Sequence, residues 1–155
     1  MPTTPETVPA QMSDAAYSLP TGLLIATWAA QIAAAAIMGQ TLFFKFTGAP
    51  EPVYIFTTLG VEPWGRYGTA VFELIAVALL LIPKTAPLGA ARGVGLMVGA
   101  VGSHLTNLGI VVKDDGGLLF GLGVAALAAC VAVLVIRREQ ALSQAAAAVH
   151  LIRGR

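Results

Sequence analysis

The sequence predicts an all-α membrane protein, a four-transmembrane-helix bundle with both termini cytoplasmic. Three observations lead there. Hydrophobic residues fill 57% of the 155 positions and charged ones only 11%, with a mean hydropathy of +0.80, far from an ordinary soluble domain. Four apolar stretches each approach the roughly 20 residues that cross about 30 Å of hydrocarbon as a helix. Four crossings would put Lys84, Arg92, Arg137, Arg138, Arg153 and Arg155 on one side and only Lys45, Arg66 and Lys113 on the other, so the first side is cytoplasmic by the positive-inside rule.

Residues 1–20 hold four prolines and no hydrophobic period, which predicts a mobile N-terminal tail. No Lys or Arg precedes Lys45, so a cleaved signal peptide is not expected and the first span is retained. That span, about 22–45, is alanine-rich, which favours close helix approach, and its Gln31 and Gln40 are expected to face other helices. The outer loop 46–65 follows. Pro50, Pro52 and Pro63 punctuate a piece too short to span, and Tyr54, Phe56 and Trp64 suit the headgroup level. It reads as a membrane-hugging loop or as a lid over a pocket.

The second span, about 66–83, carries Glu73 and is closed by Pro83 and Pro87. The third, about 90–112, contains Gly95-x-x-x-Gly99, with Gly89 and Gly93 before it, a spacing that predicts close helix contact. It also holds Ser103, His104, Thr106 and Asn107, expected to face inward. Lys113 to Gly116 form a turn by composition. The fourth span, about 117–136, ends at Arg137-Arg138 and completes a membrane domain over 21–138. The C-terminal tail 139–155 is cytoplasmic and can continue helically, with Leu142, Ala146, Val149 and Ile152 on one side and His150 in solvent.

Glu73 is the residue around which the other spans are expected to be arranged, because an isolated charge at membrane depth costs several kcal/mol and such groups face a bundle interior. At about 1.5 Å per residue, Glu73 lies roughly 10 Å inward from Arg66 and His104 roughly 13 Å inward from Lys113, with Asn107 and Gln40 nearer the outer surface. His104 and Asn107 are three apart and share a helical face, as do Arg66 and Glu73, seven apart. The expected site is an outward-leaning pocket with Glu73 and His104 as catalytic candidates and Lys45, Arg66, Asn107 and Gln40 as headgroup-binding candidates. The plainer alternative is a Glu73–His104 contact that serves packing alone.

Several classes are excluded. A net charge of +1 with scattered basic residues leaves no nucleic-acid surface. Cys130 is the single cysteine, so neither a disulfide nor a CxxC redox pair exists in the chain. One intramembrane histidine without ligand spacing argues against intrinsic metal or haem, and no dinucleotide fingerprint points to flavin.

The stretches TLFFKFTGAPE (41–51), IFTTLGVEPWGRYGTAVFELIAVALLLIP (55–83), GSHLTNLGI (102–110) and DDGGLLFGLG (114–123) resemble the DoxX family of small four-helix bacterial membrane proteins. The resemblance covers about 22–138, and Lys45, Arg66, Glu73, His104 and Asp115 match its pattern. It implies a multi-pass protein of the bacterial inner membrane, associated in some relatives with a thiosulfate:quinone oxidoreductase and in others with membrane oxidoreductase assemblies. Two expectations follow. One is a quinone-facing oxidoreductase subunit, with His104 and Glu73 supplying hydrogen bonds and a proton, and electrons coming from substrate, other membrane-complex subunits or a soluble redox partner. The other is a non-catalytic accessory subunit docked by its glycine-rich third span; a transporter ranks last, since no inverted repeat is visible.

Overall fold

The computed structural model describes residues 19–153, and among these the chain is entirely helical, with six α-helices, one π-helical turn and no strand. The tail expected to be mobile lies almost wholly outside the described residues, and so do the side chains of His150 and Ile152.

Helix α1 (Thr21–Thr47) ends at Gly48, whose φ of 69° turns the chain so that the Ala49 N–H reaches the Phe44 carbonyl at 3.0 Å. Pro50 then opens α2 (Pro50–Thr58). Two of the prolines that read as punctuation in the 46–65 loop, Pro50 and Pro52, stand instead in the first turn of a nine-residue helix, where a missing N–H leaves no bond unmade, while Pro63 directly precedes the next helix. Next come α3 (Trp64–Leu81), α4 (Ala86–Ser103) and a π-helical turn (His104–Leu108). The turn at 109–117 contains five residues with positive φ, among them Lys113 and Asp114, before α5 (Leu118–Ile136) and α6 (Arg138–Arg153).

Helices α1, α3 and α5 are long and apolar enough to cross a membrane. Helix α4 matches α3 in length at 18 residues, but Arg92 and five glycines lower its hydropathy. The four long helices pack in a ring, α1 against α3, α3 against α4, α4 against α5 and α5 back against α1. Neighbours run antiparallel: Lys45 meets Glu73, Leu80 meets Gly89, His104 meets Phe120 and Arg137 meets Thr27.

To the central core cluster each long helix contributes one fully buried alanine, Ala34, Ala76, Ala90 and Ala126, and Met38, Leu80, Cys130 and Val133 fill the space among them. Residues without bulk let the backbones approach where lipid tails provide no hydrophobic drive between helices. Apolar side chains such as Ile25, Phe72, Val98 and Val135 cover the outside. A soluble bundle would place polar groups there.

Candidate functional site

Toward the Lys45 end the packed layer gives way to a cavity of about 700 Å³. All four long helices line it, and α2 roofs it with Pro52, Ile55 and Phe56. Lys113 Nζ, 5.7 Å from the Tyr54 ring centroid, ties the 109–117 turn to this roof. The walls are largely aliphatic, with Ile37, Leu96, Met97, Leu119 and Leu122 among them, and the ionisable groups gather at one end.

One polar pole is the pair of Lys45 on α1 and Glu73 on α3. Lys45 Nζ donates to Glu73 Oε1 at 2.5 Å, with side-chain exposures of 15% and 5%. The second carboxylate oxygen lies 2.9 Å from Thr41 Oγ1, four residues before Lys45 on the same face of α1. Both oxygens of Glu73 are therefore occupied. Lys45 has three N–H donors and meets one acceptor, so two remain without a protein partner among the described residues.

The other pole is His104, only 7% exposed, at the start of the π-helical turn. Its Nδ1 is 2.8 Å from the Gly109 carbonyl. A carbonyl only accepts, so Nδ1 carries the proton and Nε2 is the basic nitrogen of the neutral ring. Nε2 has no protein partner among the described residues, and the ring lines the cavity with Phe120 edge-on at 5.8 Å. Asp115, at the same end, binds backbone N–H groups of Leu119, Val112 and Gly117 at 2.8–2.9 Å. These bonds, Leu119 first, hold its carboxyl below the ordinary value of 3.8.

The structure brings Lys45, Glu73 and His104 to one cavity and leaves Arg66, Gln40 and Asn107 outside its lining. Arg66 is buried, but its guanidinium is bound to Glu62 at 2.7–3.1 Å and donates to the Lys45 carbonyl, closing the end of α1. Gln40 is exposed on α1. Asn107 is exposed too and donates to Thr106 Oγ1 at 2.7 Å. The shared face expected for His104 and Asn107 assumed α-helical spacing; the π-helical turn has more residues per turn and separates them.

Gly95 and Gly99 also depart from the expected close contact. A Cβ at either meets nothing within 4 Å, whereas one at Gly93 would come 2.6 Å from Cys130 Sγ and one at Gly89 would come 2.5 Å from the Leu80 backbone. The helix-contact glycines are the first pair; the second pair faces the cavity.

Thr41 and Asp115 line the site without having been site candidates. The four-residue spacing from Lys45 was the available signal for Thr41, and a DGG turn beside an inward histidine was the signal for Asp115. Among the described residues no group of three or more His, Cys, Asp or Glu side chains is placed to hold a metal ion.

A family model described as the DoxX-like family matches residues 29–131, which include Lys45, Glu73, His104 and Asp115. No curated protein and no solved structure matches the chain. With two-thirds of its length matched by that model, this membrane protein belongs to the DoxX-like family.

Proposed function

We propose that the protein crosses the bacterial cytoplasmic membrane four times through the domain 21–138, with both termini and the 139–155 tail cytoplasmic, and serves as the quinone-interacting subunit of a membrane oxidoreductase assembly. The antiparallel ring that includes α4 supports four crossings. The six-to-three division of basic residues supports the orientation, which puts the cavity in the outer half.

The observation that carries the reading is an apolar cavity whose polar end holds unpartnered N–H groups on Lys45 and an unpartnered basic nitrogen, Nε2, on His104. Its volume of about 700 Å³ is within the range of small-molecule sites. A bound quinone accepts two electrons and two protons at its two ring oxygens. Lys45, held in place by Glu73, offers its free N–H groups to one oxygen. His104 meets the other through Nε2, which donates to the quinone oxygen when protonated and accepts from the quinol hydroxyl when neutral. Protons on Lys45 and His104 are returned through the polar end of the site, where Asp115 and Glu51 also stand. Electrons are supplied by a partner subunit or soluble redox protein, since Cys130 stands alone and no cofactor motif is present.

Native mass spectrometry of protein gently extracted from its own membrane tests this. Stoichiometric quinone on the wild type, absent from His104→Ala and reduced in Lys45→Met, is the expected result. Larger subunits bound with no quinone on this chain would replace the reading with an accessory one.

A further inference from the structure

Gly95, Gly99 and Ser103 repeat every four residues and so form one face of α4, about 12 Å long at 1.5 Å per residue. All three line the cavity, and both glycines are exposed. A Cβ at Gly95 or Gly99 meets nothing, so no neighbouring helix requires a glycine there. Glycine is the poorest helix former after proline, and two of them in mid-helix weaken α4 without improving a helix contact. The stripe is also chemically blank. Ser103 spends its hydroxyl on the Gly99 carbonyl at 2.9 Å, leaving a strip of bare backbone beside the face that carries Leu96 and Ala100.

A second observation points to a ligand in the same space: His104, 93% buried by its 7% exposure, lines the cavity with Nε2 unpartnered among the described residues. The cavity therefore has a polar end at Lys45, Glu73 and His104 and, extending away from it along α4, a groove kept open by the absence of side chains.

We propose that the groove along Gly95 and Gly99 holds the hydrocarbon tail of an isoprenoid quinone whose headgroup sits at Lys45, Glu73 and His104. This rests on the quinone reading above and adds which part of the ligand each wall selects. The headgroup is chosen by hydrogen bonds, and the tail by a channel that any branched side chain would fill.

The test compares two probes with one headgroup, a benzoquinone bearing an isoprenoid chain and the same benzoquinone bearing a methyl group in its place. Binding is measured by calorimetry to the full chain in lipid nanodiscs. Gly99→Ile and, separately, Gly95→Leu are expected to weaken the tailed probe about tenfold or more and to leave the methyl probe within about twofold of wild type. Gly99→Ala, which adds only a methyl group to open space, is expected to bind both probes like wild type. Equal loss of both probes in a variant whose melting temperature is unchanged overturns the proposal, because the glycines would then shape the headgroup site. No loss of either probe in both bulky variants overturns it too, since the tail would leave by another path.

If one bulky variant fails to fold, the other decides. A wild type that binds neither probe but retains an acyl-chain lipid that Gly99→Ile loses would sink the quinone reading and keep a tail groove. Wild type that retains no chain-bearing molecule sinks both.

Discussion

Arg137 Nε donates to Thr27 Oγ1 at 3.1 Å, joining the end of α5 to the start of α1 across 110 residues. Arg137 is 8% exposed, and Nη1 also reaches the Pro83 carbonyl at 3.2 Å and Gln140 Oε1 at 3.1 Å. Gln140 in turn donates to the Pro83 and Lys84 carbonyls at 3.0 Å each. One planar group thus gathers α1, α5, α6 and the α3–α4 link. It closes the bundle end opposite the cavity.

A lysine at 137 keeps the charge but lacks the fork that reaches three acceptors in different directions. Arg137→Lys is expected to lose about 1.5–3 kcal/mol, the usual worth of hydrogen bonds to charged groups, and to free α6 for proteolysis. Thermal unfolding and limited trypsin digestion check both effects; a variant as stable and as protected as wild type would show that the network contributes nothing.

Lys45 and Glu73 illustrate how a buried pair differs from its halves. Lys45→Met leaves the Glu73 carboxylate with only Thr41, and a single removal of this kind costs about 3–5 kcal/mol. The double variant Lys45→Met with Glu73→Leu is expected to recover most of that stability while abolishing quinone binding. Melting temperatures for the two singles and the double make the comparison, and a strictly additive double would mean the pair is not coupled.

Gly93 and Gly89 are predicted to respond differently to the same methyl group. Gly93→Ala drives a Cβ to 2.6 Å from Cys130 Sγ, an overpacking worth about 1–3 kcal/mol, and Cys130→Ala removes the obstructing sulfur. Gly89→Ala meets the Leu80 backbone at 2.5 Å, and no side-chain change relieves that. Rescue at 93 by Cys130→Ala together with none at 89 is the expected pattern in thermal melts.

Asp115 sets an acid limit on the turn that carries the site. Its folded carboxyl is held below the ordinary 3.8 by the N–H groups of Leu119, Val112 and Gly117. The stabilisation is therefore complete above the unfolded value and is lost as pH falls through the folded one. The melting-temperature gap between wild type and Asp115→Ala is expected to be constant near neutrality and to shrink below pH 3.8. A gap that stayed the same in acid would mean the ionised carboxylate is not what holds the turn.

That Lys45, Glu73 and His104 would turn inward was legible because ionisable groups inside apolar runs are expensive wherever the chain goes, and all three line the cavity. Arg66 was expected among the headgroup-binding groups of the pocket and not as a clamp, since its partners are the Glu62 carboxylate and a main-chain carbonyl 21 residues away. Asn107 was misplaced by extrapolating α-helical spacing through a π-helical turn, which no hydrophobic period announces. Gln40 was read correctly as part of α1, yet nothing in its residue type says which face of that helix meets a neighbour.

The sequence by itself determined that this chain is helical and resides in a membrane, because long apolar runs can satisfy their backbone polar groups in lipid only as helices or closed barrels and these runs have helical length. It also determined which residues are too costly to face lipid. Tertiary structure decided where those residues meet: that α2 roofs a cavity, that Gly89 and Gly93 serve contact while Gly95 and Gly99 serve space, and that Arg137 closes the far end. Those outcomes depend on the rotation of each helix about its axis, and rotation is set by the close packing of neighbours rather than by composition along one strand of sequence.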